Sequence, residues 1–410
     1  MISRFPSGVL PILVGTAIAG VVAYAINLLV PIRVAPVTYS QFSIIWSVLY
    51  FCLAALAGVQ QEVTRATRPK ISAVGGKNPI IAFALVGTLC FFIVVLAGSY
   101  FALPLVVGEN LEALALPVAI SAGCYVLFVV LGGTLSGLQR WRWLALMVSL
   151  DALARLVAVA VAAFLSGSIF ALIWAVALPF PLVPMSVWLL VRRRVNGKFE
   201  LDVPLPRLSW NSLRALAAAA ASGILITGFP LLLAATSLST PKQELAGVNL
   251  AVMLVRSPLV VLATAMQGYL VVHFRGGGHA ALVLLGRVSL AIAGVSVAVA
   301  VLAFFVAPPI FRLFGPSYSL EGWFFGLLVL ASGLLGIVCV AASYLLAVSR
   351  HSAFLLMWIV AAVVTVVVLL LPIPLHIRSI LSLVAGPAAG VITGLVFVAQ
   401  PARESRRLEQ

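Results

Sequence analysis

The chain has 410 residues, of which 63% are apolar and only 9% charged, with a net charge of +15 at pH 7. Mean hydropathy is +1.22. A soluble protein carries roughly 25% charged residues, so this chain lacks the polar side chains to cover a water-facing surface. Disorder is excluded for the opposite reason, because it requires low hydrophobicity and high charge. The composition describes an integral membrane protein, and the basic excess is read as loop charge rather than as a nucleic-acid footprint.

Twelve apolar runs are long enough to cross a bilayer, which takes roughly 20 residues. They are 8–30, 39–59, 80–103, 114–136, 143–165, 169–191, 215–238, 246–271, 288–307, 323–348, 353–371 and 379–399. The first run, after Arg4, is too long for the apolar core of a signal peptide. Strand-like alternation is missing, which argues against a membrane barrel. Alternating the runs across the membrane places 19 Lys and Arg on one side and four on the other, with Arg155 and Arg256 inside spans. The positive-inside rule then expects both termini in the cytoplasm of a multi-pass plasma-membrane protein.

The runs repeat. Those of the second half begin 207, 207, 208, 209, 210 and 210 residues after those of the first. The text SGLQRWRWLALMV around Arg140 is echoed by LAVSRHSAFLLMW around Arg350, 210 residues on, and Gln60 is echoed by Gln267, 207 on. Six spans per repeat return the chain to its starting side, so the repeats are parallel. The expected fold is all-α: twelve transmembrane helices in two six-helix lobes related by a parallel pseudo-two-fold repeat. The expected organisation is an N-terminal lobe at 1–191, a cytoplasmic linker at 192–214 stiffened by Pro204 and Pro206, a C-terminal lobe at 215–399 and a tail at 400–410. Two such bundles around a cavity favour a transporter with alternating access.

The stretch AYAINLLVPIRVAPVTYSQFSIIWSVLYFCLAALAGVQQEVTR, Ala23 to Arg65, resembles the first two spans of polysaccharide flippases of the multidrug/oligosaccharidyl-lipid/polysaccharide exporter superfamily. FRLFGPSY, Phe311 to Tyr318, resembles that family's outer turn between spans nine and ten. SGLLGIVCVAASYLLAVSRHSAFLLMW, from Ser332, resembles spans ten and eleven. In the first outer turn, VAPVTYSQF keeps the family's proline and tyrosine but lacks its acidic pair. The resemblance implies a flippase that carries an undecaprenyl-diphosphate-linked glycan from the cytoplasmic to the outer leaflet. A polysaccharide polymerase or glycosyltransferases would then be its partners.

Three charged residues lie well inside spans: Asp151, Arg155 and Arg256. Such groups are expensive in hydrocarbon and usually face a bundle interior or a wet cavity. Asp151 and Arg155 are four apart on one helix face, as an ion pair or as an arginine that contacts substrate while the aspartate orients it. Arg256 sits near mid-span beside Pro258, where a guanidinium suits diphosphate oxygens; pairing with Asp151 or snorkelling are its bland alternatives. None of the three has a charged counterpart in the other repeat. Asn27, Tyr24, Trp46, Gln60, Asn249 and Gln267 are candidate linings of a sugar path, or else helix–helix hydrogen bonds and anchors. Glu62 and Arg65 are placed to pair at the end of span two. Cys52, Cys90, Cys124 and Cys339 read as small buried hydrophobes, and the four histidines lack metal spacing.

No Walker A sequence, nucleophile elbow or H-E-x-x-H occurs, so no cofactor is expected and the chain is read as a non-enzyme. The rival readings are a cation-coupled multidrug antiporter of the same superfamily, for which Asp151 is the one candidate coupling carboxylate, and a non-transporting scaffold of a glycan-assembly complex.

Overall fold

A computed structural model describes residues 9–69, 79–108, 112–195, 199–274 and 278–399, without the side chains at 9, 79, 194, 257, 259–269, 272 and 399. Among these residues the chain is nearly all helix. The helices in order are α1 (Val9–Arg33), α2 (Pro36–Ala66), α3 (Pro79–Val106), α4 (Ala115–Gly137), α5 (Trp141–Leu165), α6 (Ile169–Ala177) and α7 (Pro179–Val195). There follow α8 (Leu205–Ile226), α9 (Phe229–Ala235), α10 (Lys242–Phe274), α11 (Gly278–Arg312), α12 (Gly322–Ala347), α13 (His351–Leu369) and α14 (Leu375–Ala399). Among the described residues, ten stretches are long and apolar enough to cross a membrane, eleven if α8 and α9 form one bent span. Every expected span falls on a helix of the chain, the sixth on α6 with α7, the seventh on α8 with α9, and the eighth on α10, which is not one of those stretches.

The seventh span is not the continuous helix expected. It bends by 75° between α8 and α9. Pro230 has no N–H to continue the helical ladder, and a hydroxyl from another helix enters the gap. Ser47 Oγ on α2 donates to the carbonyl of Thr227 at 2.7 Å and accepts from the N–H of Leu231 at 3.4 Å. Those two backbone groups would otherwise bond each other in a continuous helix. Side-chain insertion of this kind is a recognised cause of sharp kinks. The span also begins early, since α8 starts at Leu205. The preceding segment pairs as a two-stranded ladder, β2 (Phe199–Leu201) antiparallel to β1 (Thr67–Pro69).

The chain forms two compact units, 1–246 and 247–410, which divide within α10. In the first unit α4 is the central helix, packing on α2, α3, α6 and α7, while α1 lies on α5 and α8 on α2. The α2–α8 crossing is close enough to require Gly58, because a Cβ there would run into the backbone of Ala215 and Leu216. Small residues at such crossings let membrane helices pack without a hydrophobic drive. Contacts within this unit follow an alternating path. The β-ladder joins the ends of α2 and α7 on one side. On the other, Arg33 at the end of α1 lies 4.1 Å from the Phe164 ring near the end of α5. On that side too, Lys242 Nζ donates to the Val106 carbonyl at the end of α3.

In the second unit α12 takes the central place, packing on α11, α13 and α14. The counterpart of α4 in the repeat is α12, so one repeat position supplies the core helix of each unit. The repeat is sharpest in the turn that follows each. Among the described residues Gln139 and Ser349, 210 residues apart, are the two non-glycine residues at positive φ, 56° and 58°. Arg140 N–H bonds the Leu135 carbonyl and Gln139 N–H that of Ser136; Arg350 N–H bonds Leu345 and Ser349 N–H bonds Leu346. Both are Schellman motifs, which satisfy the orphan carbonyls of a helix end. Arg350 goes further, donating through Nη1 to the Phe397 carbonyl in the last turn of α14; a cation is favoured at that helix end.

The cysteines differ from expectation at two positions. Cys52 and Cys339 are buried, but Cys124 is only partly so and Cys90 is exposed. Cys90 lies on α3, whose outer face carries Leu85, Leu89 and Ile93 equally exposed. An apolar residue in a membrane helix has no need of burial, because lipid serves as well as a protein core.

Candidate functional site

In the first unit, α1, α2, α4 and α5 surround a cavity of about 160 Å³. Most of its wall is apolar: Ala19, Val22, Ala23 and Ile26 from α1, Leu53 from α2, Phe128 from α4. Its polar wall is Asp151, Arg155, Tyr50 and Tyr125. Asp151 and Arg155 are 7% and 4% exposed, which places the pair wholly inside the bundle. The i,i+4 spacing on α5 brings Arg155 Nη2 to 2.6 Å from Asp151 Oδ2. Nη1 donates to the Tyr50 hydroxyl at 3.4 Å. The guanidinium also lies over the Phe180 ring, 4.2 Å from its centroid, and Tyr125 meets that ring edge-on at 5.6 Å. Tyr50 is itself stacked on Trp46 at 4.5 Å.

This environment explains how an arginine persists mid-membrane. The carboxylate neutralises it, the aromatic face attracts it and the hydroxyl accepts from it. Two atoms are left over: Asp151 Oδ1 and Arg155 Nε have no hydrogen-bond partner among the described residues. A buried group in that state costs about 1–3 kcal/mol, so the cavity offers one acceptor and one donor to whatever enters it.

In the second unit, Arg256 on α10 is 4% exposed. It lies near Cys339 on α12. Between 245 and 274 α10 carries no carboxylate. With Asp151 engaged by Arg155, the three intramembrane charges sum to +1.

The remaining candidates fall elsewhere. Asn27 is buried beside the cavity's α1 wall and donates to the Ala23 carbonyl at 2.9 Å, while its Oδ1 has no partner among the described residues. Gln60 is used at a helix crossing, its amide nitrogen 3.2 Å from where a Cβ on Gly132 of α4 would lie. The side chain of Gln267 lies outside the described residues. Asn249 is fully buried and Tyr24 is exposed. Glu62 and Arg65 pair as expected, at 2.7 Å, in a wider network: Arg65 and Arg68 reach Asp202 at 3.1 and 3.4 Å, and Asn211 donates to Glu62. The network fastens α2 to the segment leading into α8. Nothing in the sequence marks Tyr50, Tyr125 and Phe180, because an aromatic in an apolar run has no local feature separating a cation cradle from ordinary packing.

No protein-family model matches the chain. The uncharacterized protein Rv3630 of Mycobacterium tuberculosis (strain ATCC 25618 / H37Rv) is 31% identical over 401 residues, covering 94% of this chain and 91% of its own length. Uncharacterized protein Mb3654 of Mycobacterium bovis is 30% identical over 397 residues, covering 94% and 90%. The chain belongs to the family of these mycobacterial proteins. Among solved structures it is similar to an inward-facing multidrug resistance MATE family transporter of the MOP superfamily, with TM-score 0.69 and 14% identity over 97% of this chain and 96% of that one. The outward-facing form gives 0.66 and 15%, over 95% and 94%. A MOP superfamily transporter from Pyrococcus furiosus, whose binding pocket of reversed polarity suggests a different function, gives 0.68 and 16%, over 96% and 95%. The fold is that of these transporters, and the long apolar helices make the chain a multi-pass membrane protein.

Proposed function

We propose that this protein is a transporter that flips an anionic lipid-linked glycan, of the undecaprenyl-diphosphate class, from the cytoplasmic to the outer leaflet of a bacterial plasma membrane. In this reading both termini are cytoplasmic, and the two repeats, about 1–191 and 215–399, alternate access to the substrate. One observation carries it: the intramembrane charge is net positive, with the single carboxylate already held by Arg155 at 2.6 Å. A diphosphate needs cations in a low-dielectric path, and guanidinium can grip it bidentately. Arg256 is the proposed head-group contact, with Arg155 the second cation. The P. furiosus structure, similar in fold, has a binding pocket whose reversed polarity suggests a different function for that protein, a precedent for reading this fold's function from the charge it carries.

Flipping of a fluorescent lipid-linked oligosaccharide in proteoliposomes tests the reading. Arg256→Ala is expected to keep expression and assembly and to abolish flipping. Arg256→Lys restores part of it, since a point charge lacks the planar fork. Wild-type rates from Arg256→Ala would overturn the proposal. The multidrug reading is favoured by the structural likeness to MATE transporters; it requires Asp151→Asn to lose ion-driven drug export while remaining folded.

A further inference from the structure

A second cavity, larger and unconnected with the charged residues, lies on the flank of the first unit. It is a groove of about 610 Å³ walled by α3 and α8, with Leu56 of α2 and Val126 of α4 in its floor. That volume is within the roughly 300–1,000 Å³ of small-molecule sites. Its lining is apolar apart from the thiol of Cys90 on α3 and two hydroxyls of α8, Ser209 and Ser212. On α3, Leu85 and Leu89, beside the lining residue Val86, are exposed on a membrane-crossing helix, so the groove opens on hydrocarbon. An apolar void of this size in a bilayer is filled by lipid, because leaving it empty forfeits dispersion contacts along every wall.

The polar end gives the occupant its chemistry. Ser212 is 4% exposed and its Oγ has no partner among the described residues. Serines in these helices ordinarily bond the carbonyl four residues back, as Ser186 and Ser332 do; Ser212 does not. It stands seven residues into α8, about 10 Å from the helix start. Beyond it, Ala82 and Leu205 bring the first turns of both α3 and α8 to the rim. These are positive helix ends. Arg207 is exposed in the first turn of α8. The acids nearest this end, Glu62 and Asp202, are already paired with Arg65 and Arg68, and Glu62 also accepts from Asn211 beside Ser212.

We propose that this groove is a binding site for an anionic glycerophospholipid of the cytoplasmic leaflet. One acyl chain lies between α3 and α8, an ester or phosphate oxygen accepts from Ser212, and the head group lies at the basic rim. This lipid is a resident of the fold, not the transported cargo.

The test is native mass spectrometry of the full chain in mild detergent with palmitoyl-oleoyl phosphatidylglycerol or phosphatidylcholine. One phosphatidylglycerol should be retained where phosphatidylcholine is lost. Cys90→Trp, which fills the groove, should abolish retention, and Ser212→Ala should weaken it roughly two- to tenfold, the worth of one hydrogen bond. Thermal melting checks assembly; Val86→Phe replaces Cys90→Trp if that variant does not fold. Equal retention of both lipids, or undiminished retention by the groove-filling variant, would overturn the proposal. So would displacement by equimolar undecaprenyl phosphate, which would assign the groove to transported lipid.

Discussion

At the scale of single residues, the Asp151–Arg155 pair shows how a buried charge is made tolerable. Desolvating two ions costs several kcal/mol each, and their attraction offsets this only with good geometry and further polar contacts. Here the geometry is a 2.6 Å contact, a tyrosine hydroxyl and an aromatic face. Asp151→Ala should therefore lower stability by about 3–5 kcal/mol, since it strands Arg155. The double variant Asp151→Leu/Arg155→Met should recover most of that loss. Melting in detergent by intrinsic fluorescence compares the three proteins; a double variant no better than the single would mean that the pair itself is not what Asp151 supplies. At the turns after α4 and α12, a left-handed conformation costs a non-glycine residue about 1–2 kcal/mol. Gln139→Gly and Ser349→Gly should each raise the melting temperature, and by similar amounts, because the two turns share dihedrals and hydrogen bonds.

Among the elements, the bent span of α8 and α9 depends on one hydroxyl from α2. Removing it by Ser47→Ala leaves the Thr227 carbonyl and the Leu231 N–H short of a partner in apolar surroundings, a loss of about 1–3 kcal/mol. Ser47→Thr keeps the hydroxyl and should lose less. Spin labels at the two ends of the pair, 208 and 235, would report through their distance distribution whether the bend survives; an unchanged distribution and unchanged melting in Ser47→Ala would show that Pro230 alone holds it. The α2–α8 crossing has a separate determinant in Gly58. Gly58→Leu should push α8 away and destabilise the first unit far more than Gly20→Leu, whose position has nothing within 4 Å of a Cβ. Thermal melting of the two variants measures the difference.

For the whole molecule, the distribution of basic residues predicts which side each loop faces. Cysteines introduced at 68 and 202 should label only from the cytoplasmic side, and those at 240 and 319 only from outside. Labelling of 68 and 202 from opposite sides would contradict the β-ladder as well as the charge rule, because Arg68 pairs with Glu200 in that ladder. Sidedness, repeat and composition are long-range averages over many residues, so they survive local surprises such as the break at 227–230.

Composition and periodicity alone determined that the chain crosses a membrane, how often, and that its halves repeat. Lipid imposes one requirement, an apolar helix of fixed length, and that requirement is written locally. The Asp151–Arg155 pair was legible too, because a spacing of four is a local fact. What only the tertiary structure decided is contact between distant segments: Ser47 entering the break in the seventh span, Tyr50, Tyr125 and Phe180 enclosing one arginine, Gln60 spent on a helix crossing. In a membrane protein every helix face is apolar, so the contrast that marks an inward face in a soluble protein is absent. Which residues line a cavity, which face lipid and which hold a neighbouring helix is then decided by packing, which no apolar run records.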